Sequence, residues 1–325
     1  MGAALPASAL DVPLVAQGRS FNVHVPASYD EAESMPAVVL LHGYSGTGDW
    51  AEAYMRFEPL SEKRGFLYLH PDGLFDCLEP PRRFWNATDA CCNFCSLPID
   101  DVGFLEAVLD ELEARFNVDP KRIYFVGHSN GGFMAYRMAC EVPDRIAAIV
   151  SLAGATWDAS QACAAAKPVH VLQIHGTNDD TILYEGGNIL FSTYPGALET
   201  VEMWADSNGC ALTPDTSSPN RDLDGSIGGA ETSVLRFENG CREGGSAELW
   251  SISGGGHNPV LSATFSNQVI DYLFEHTTES GKAGVRLPGL SGSLRLGGAI
   301  LIGGFGVFPL LVSPRMGRKR RCGFW

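Results

Sequence analysis

Basic side chains are scarce in the first 281 residues, which hold all 38 Asp and Glu but only 15 of the 23 Lys and Arg. Such a body repels polyanions, which excludes nucleic acid and an anionic membrane face as its partners. A phosphate-cradling glycine loop and a dinucleotide fingerprint are also missing, so no nucleotide cofactor is expected. The glycines Gly254-Gly255-Gly256 precede a histidine and suit the flexibility of a catalytic loop better than phosphate. No internal repeat is present. What remains is 325 residues, 45% hydrophobic, in which apolar runs alternate with helix-compatible ones. That alternation predicts a mostly parallel sheet with helices on both faces. The stretch 213–230, rich in Ser, Asp, Gly and Pro, reads as a surface loop.

Cysteine is the opposite case: nine residues is a high number for a reducing compartment. Cys91, Cys92 and Cys95 form a cluster, yet adjacent cysteines ill suit one tetrahedral zinc and no second paired cluster exists. Disulfides are expected instead: Cys210 with Cys241, Cys140 with Cys163, and Cys77 with a member of the Cys91 cluster. No metal site is expected.

The pentapeptide Gly127-His128-Ser129-Asn130-Gly131 carries the chemistry. An apolar run, Arg122 to Val126, leads into it, and a helix-compatible run, Gly132 to Cys140, follows. A strand–turn–helix corner this sharp strains the central residue, and neighbours two positions away must lack a Cβ. The result is a hydroxyl held clear of the sheet with a helix N-terminus behind it. A serine hydroxyl is too weak an acid to attack an ester unaided and needs a base. Downstream, Pro168 to Ile174 is strand-like and runs into His175-Gly176-Thr177-Asn178-Asp179-Asp180; Ala247 to Ile252 runs into Gly254-Gly255-Gly256-His257. Ser129, Asp179 and His257 then stand in the chain order nucleophile, acid, base. Asp180 is the alternative acid. Activity is expected to fall as the imidazole base protonates below neutral pH.

An oxyanion hole needs two backbone donors. Asn130 N–H follows the nucleophile directly. The second is assigned to Tyr44 N–H, in the loop His42-Gly43-Tyr44-Ser45-Gly46 after the apolar run Val38 to Leu41. His42 and His175 read as structural or oxyanion-loop residues. His128 is expected to point away from the nucleophile along the elbow.

Seven segments occur together in order: Leu41-His42-Gly43, Pro71-Asp72-Gly73, Trp85-Asn86-Ala87, Asp100 to Phe104, Gly127 to Gly132, His175 to Asp179 and Gly254 to His257. Over about residues 18 to 276 the set resembles the secreted polyhydroxybutyrate-depolymerase-like esterases, a branch of the α/β-hydrolases that also contains feruloyl and acetylxylan esterases. The resemblance implies an α/β-hydrolase fold, a cofactor-free carboxylic ester hydrolase, and Ser129, Asp179 and His257 as its triad. Asp100 and Asp101 are expected to cap a helix from Val102 to Phe116. Trp85 and Tyr184 lie in loops that can line the acyl or alcohol pocket. Many relatives carry Trp-Pro-Gly shortly after the histidine; here Asn258-Pro259-Val260 departs from it and removes an aromatic wall. With no separate polymer-binding module, soluble or plant-wall esters are expected over solid polyester granules. A peptidase on the same scaffold and a non-catalytic surface binding protein are the rival readings.

The expected organisation is an N-terminal segment 1–17, an esterase domain 18–278 and a tail 279–325. Ala7-Ser8-Ala9 has the small-residue pattern of a signal-peptide cleavage site, so the start reads as the remnant of an export signal. Leu296 to Val312 is a charge-free run of 17 residues, followed by Arg315, Arg318, Lys319, Arg320 and Arg321. An apolar run capped by positive charge is a membrane stop that leaves the enzyme outside the cell. It also resembles the sorting tails of bacterial surface proteins. The resulting expectation is a monomer, secreted or anchored at a bacterial surface through 296–312.

Overall fold

Among the described residues, thirteen strands follow the alternation of the sequence: β1 (Leu10–Ala16), β2 (Arg19–Val25), β3 (Met35–Leu41), β4 (Leu67–Leu69), β5 (Leu74–Phe75), β6 (Arg83–Phe84), β7 (Val118–His128), β8 (Ala148–Leu152), β9 (His170–Gly176), β10 (Gly186–Ile189), β11 (Ser192–Pro195), β12 (Thr232–Phe237) and β13 (Ser246–Ile252). The α-helices are α1 (Gly48–Met55), α2 (Glu58–Arg64), α3 (Asp101–Arg115), α4 (Asn130–Glu141), α5 (Ala197–Ser207) and α6 (Phe265–Glu275). The computed structural model describes residues 9–158, 163 and 165–279. The 296–312 run and the first eight residues, on which the anchor and export-signal expectations rest, lie outside them. Among the described residues no helix is long and apolar enough to cross a membrane.

Nine strands form one sheet in the order β1-β2-β4-β3-β7-β8-β9-β13-β12. The five pairings from β4 to β13 are parallel. The pairings of β1 with β2, β2 with β4 and β12 with β13 are antiparallel. The inner strands read as continuous apolar runs because both faces are covered. Along β3, Val39 and Leu41 face one core, with α3, α4 and α5. Val38 and Leu40 face the other, with α1, α2 and α6. Side chains alternate with period two, so a single strand supplies both cores. Each fully buried aliphatic side chain contributes about 1.5–3 kcal/mol toward holding the layers together.

The sheet sets where the site falls. Strands β7, β9 and β13 run parallel, so their C-terminal ends share one edge, and the three candidate triad loops leave from that edge. Helix α6 starts at Phe265, some residues past His257. The intervening backbone is tied to the 213–230 loop instead, through Gly225 N–H to Val260 O at 2.7 Å and Ser262 N–H to Leu223 O at 2.9 Å. That loop holds no helix or strand and is pinned to β12 by the bridges Asp215–Arg236 and Arg221–Thr232.

Among the described residues there are four disulfides: Cys77–Cys95, Cys91–Cys92, Cys140–Cys163 and Cys210–Cys241. Cys95 is the member of the cluster that bridges to Cys77, and the adjacent Cys91 and Cys92, a pairing not expected from sequence, bond to each other. The pair of carboxylates at the start of α3 divides its work. Asp100 caps the helix, accepting from Gly103 N–H at 2.8 Å. Asp101 does not cap. It is fully buried, ion-paired to Arg19 at 2.8 Å, and accepts from Asn86 N–H at 2.8 Å.

Candidate active site

Ser129 sits at the corner between β7 and α4 with φ 52°, the left-handed region that few non-glycine residues enter. The glycines on either side make this corner possible. A Cβ on Gly127 would lie 2.0 Å from Gly131 O, and one on Gly131 would lie 2.1 Å from Leu41 O. The two strands and the helix therefore approach at backbone contact, and only glycine fits.

From that corner the Ser129 Oγ faces His257 Nε2 at 3.0 Å, and His257 Nδ1 faces Asp179 Oδ2 at 2.8 Å. Asp179 is 4% exposed. Its Oδ1 accepts from Thr181 and Ile182 N–H, each at 2.9 Å. Burial opposes the charge on this carboxyl, but hydrogen bonds from His175 and His257 outweigh it and hold Asp179 below the usual carboxylate range. The neighbouring candidate acid, Asp180, is exposed and accepts from Thr181 Oγ1.

The loops carrying acid and base are laced together. Thr177 N–H donates to Ile252 O, Asn178 N–H to Gly255 O, and Gly254 N–H to Thr177 Oγ1, at 2.8–2.9 Å. A Cβ on Gly176 would lie 2.2 Å from Gly255 O. Close approach of the two loops thus requires glycine at 176, while a Cβ on Gly256 would meet nothing within 4 Å.

The two assigned oxyanion donors come from different elements, Asn130 from the start of α4 and Tyr44 from the loop after β3. Asn130 opens α4, where the first N–H has no partner within the helix. Its side chain clamps the chain in front of it: Oδ1 accepts from Trp85 N–H at 2.7 Å, and Nδ2 donates to Trp85 O at 2.9 Å. Tyr44 lines the cavity above Ser129. Its ring meets Phe94 edge-on at 5.3 Å, and its hydroxyl donates to Asp76. Burial, then that carboxylate, push the phenol up to about 12. Asp76 and Phe94 adjoin Cys77 and Cys95, so that disulfide ties together the two residues that hold the Tyr44 side chain.

Three expectations are corrected. Trp85 is fully buried, donates from Nε1 to His42 O at 3.1 Å, and supports the oxyanion loop from behind; it does not line the cavity. Tyr184 packs edge-on against His175 and its hydroxyl meets Ser251 Oγ at 2.6 Å, also outside the cavity lining. His128 does not point away: its ring lines the same cavity as Ser129 and lies 5.2 Å from the His257 ring. Its Nε2–H donates to His257 O at 3.1 Å. Burial, and then the nearby His257, lower its pKa to about 4, so it stays neutral beside the base. His42 is structural: it accepts Gly73 N–H at Nε2 and donates from Nδ1 to Gly43 O.

The cavity over Ser129 measures about 590 Å³. Its aromatic wall comes from a residue that no sequence motif marks, Trp50 on α1, 45% exposed and stacked on Tyr54 at 5.3 Å. Tyr54 in turn donates to Pro259 O at 2.8 Å. The wall missing after His257 is thus supplied from the helix that follows the oxyanion loop. A second cavity, about 620 Å³, lies beside Arg137 and Phe191 and includes none of the three relay residues. Among the described residues no group of three or more His, Cys, Asp or Glu is placed to hold a metal ion.

A mostly parallel sheet flanked by helices, with a serine at positive φ at the corner after its central strand, is the α/β-hydrolase fold. Residues 36–179 match the family model described as alpha/beta hydrolase fold. Within this fold the chain is similar to feruloyl esterase B of Piromyces equi, 28% identical over 248 residues, 74% of this chain and 42% of that protein. It is 26% identical over 280 residues to poly(3-hydroxyalkanoate) depolymerase C of Paucimonas lemoignei, 75% of this chain and 60% of that one. The chain therefore spans less than two thirds of these relatives. The solved acetyl xylan esterase from Aspergillus awamori shares the fold with a TM-score of 0.54 at 16% identity, over 78% of this chain and 93% of that one.

Proposed function

We propose that the chain is an exported serine esterase that hydrolyses feruloyl or acetyl esters of plant polysaccharide, or short hydroxyalkanoate esters. The observation that carries this reading is the relay from Ser129 Oγ through His257 to Asp179, closed at 3.0 and 2.8 Å. His257 Nε2 takes the Ser129 proton as Oγ bonds to the ester carbonyl carbon. The carbonyl electron pair moves onto oxygen, where the Tyr44 and Asn130 N–H groups receive it. Collapse of this intermediate breaks the ester C–O bond, and the proton on His257 passes to the departing alcohol. Water then enters by the same route, releasing the acid and restoring Ser129. Asp179 keeps the proton of His257 on Nδ1 throughout and stabilises the imidazolium that forms.

The similarity to feruloyl and hydroxyalkanoate esterases supports the substrate class, and Trp50 and Tyr44 give the cavity aromatic surfaces suited to a planar acyl group. Four disulfides support an oxidising destination outside the cell. Anchoring through 296–312 at a bacterial surface, and a monomeric state, belong to the same reading. The test is a panel of methyl ferulate, p-nitrophenyl acetate, a 3-hydroxybutyrate ester and p-nitroanilides. Turnover of one or more of the esters with the anilides untouched is expected; anilide cleavage without ester cleavage would overturn the reading in favour of a peptidase.

A further inference from the structure

Strand β9 opens on His170 and carries two further polar residues, Gln173 and His175, in a run where every position is buried. Their spacing of two puts both on the face that meets α4. There they form a continuous chain. Tyr136 O–H, from α4, donates to Gln173 Oε1 at 2.8 Å. Gln173 Nε2 donates to Gly154 O at 2.8 Å and to His175 Nδ1 at 2.9 Å. His175 Nε2 lies 2.7 Å from Ile182 O and 3.2 Å from Asp179 Oδ2.

The chemistry of the partners fixes every proton in this chain. Gly154 O and the Tyr136 hydroxyl orient the Gln173 amide, because the carbonyl needs a donor and the phenol needs an acceptor. The amide nitrogen therefore faces His175 Nδ1, which must be bare. The proton of His175 is then on Nε2, where a carbonyl and a carboxylate both require one. Tyr136 and Gln173 are fully buried and His175 is 1% exposed, so no water competes for these positions.

We propose that His175 is a positioning residue for the triad acid: its Nε2–H, locked in that tautomer by Gln173, is shared between Ile182 O and Asp179 Oδ2 and fixes the carboxylate oxygen presented to His257. The assignment rests on the esterase reading for its kinetic consequence but not for its geometry. Asp179 Oδ2 receives two imidazole N–H groups, one from His257, which changes charge during turnover, and one from His175, which does not. The second holds the acid in place while the first moves its proton at the other ring nitrogen. Tyr184, edge-on to His175 at 5.8 Å, closes this support from the outer side.

Two measurements on the full chain test it. Long-range ¹H–¹⁵N spectra of the imidazoles need no substrate. They should show His175 bare at Nδ1 and protonated at Nε2. An Nδ1–H tautomer would overturn the proposal. In kinetics on p-nitrophenyl acetate, His175→Leu should lower kcat about ten- to hundredfold at unchanged KM, the loss of one hydrogen bond to a charged group. The acid limb of its rate profile should move to higher pH, because Asp179 then directs more of its charge to His257. His175→Gln, whose terminal amide keeps an N–H near the Nε2 position, should restore most of kcat. Should His175→Leu fail to fold, Gln173→Leu serves in its place, releasing the tautomer and lowering kcat severalfold. Full kcat with an unshifted profile in either leucine variant would overturn the proposal. A wild-type chain that cleaves no ester would instead sink the esterase reading, and the spectra alone would then decide for or against the tautomer lock.

Discussion

Ser129→Ala is expected to lower kcat on p-nitrophenyl acetate by on the order of 10⁶-fold, the scale of loss when a serine hydrolase is deprived of its nucleophile. The substitution removes one hydroxyl, whose described hydrogen bond is the one to His257 Nε2 at 3.0 Å. Alanine adds no atom to the corner held open by Gly127 and Gly131, so the thermal unfolding midpoint should stay close to that of the wild type. Loss of activity with the fold intact is the expected pair of results, read by steady-state rates and by circular dichroism on the same sample. Retention of more than a small fraction of the wild-type rate would assign the chemistry to another group.

The second large effect is on the acid. Asp179→Asn should cost about 10⁴-fold in kcat while leaving the site's shape intact. The reason lies in the partners already in place. Thr181 and Ile182 are backbone N–H donors to Oδ1 that cannot reverse, whereas on the Oδ2 side His257 can shift its proton to Nε2 and His175 keeps Ile182 O as acceptor, so the carbonyl oxygen of an introduced amide is drawn to the Oδ1 side. The amide NH₂ then points at His257, and a donor there forces the imidazole proton onto Nε2, the atom that must accept from Ser129. An exposed turn aspartate would show no such dependence, and Asp180→Asn, the internal control, should change kcat little. Because Asp179 is held below the usual carboxylate range, its contribution to folding is fully present above that range. It is lost only as acid carries the pH down through the lowered value. Mild acidification therefore leaves the acid ionised.

Much of this arrangement is written locally in the sequence. The elbow is legible because its constraint is steric and short-range: two glycines four apart, between a strand and a helix, leave room for little besides a sharp corner with the serine at its tip. The acid and base are legible in outline because parallel strands that end at one edge must deliver their loops together; the choice of Asp179 over Asp180 needs the contact with His257. The same logic fails for side chains whose role depends on contacts far along the chain. Trp85 in a loop is equally compatible with a pocket wall and with packing, and the Asn130 clamp that decides for packing joins residues 45 apart. Tyr184 is turned from the cavity by Ser251, 67 residues on. His128 ends β7 and continues the alternation of Tyr124 and Val126 toward α1, so its contact with Trp50 and Tyr54 is open to a reading of strand period. Trp50 leaves no mark because it stands on a short helix after the oxyanion loop, where an exposed aromatic has no motif of its own. The Gln173–His175 pair does leave a signal, two polar residues two apart near the end of a buried strand, but its meaning depends on Tyr136 and Asp179 meeting it from other elements.

A hydroxyl made nucleophilic by its neighbours underlies the whole mechanism, and covalent capture reads it directly. Incubation with a fluorophosphonate, followed by peptide mass analysis, should place a single phosphonyl group on Ser129 in the wild-type chain, with labelling slowed by orders of magnitude in His257→Ala. Absence of any adduct, or an adduct on another residue at the same rate in both proteins, would contradict the triad.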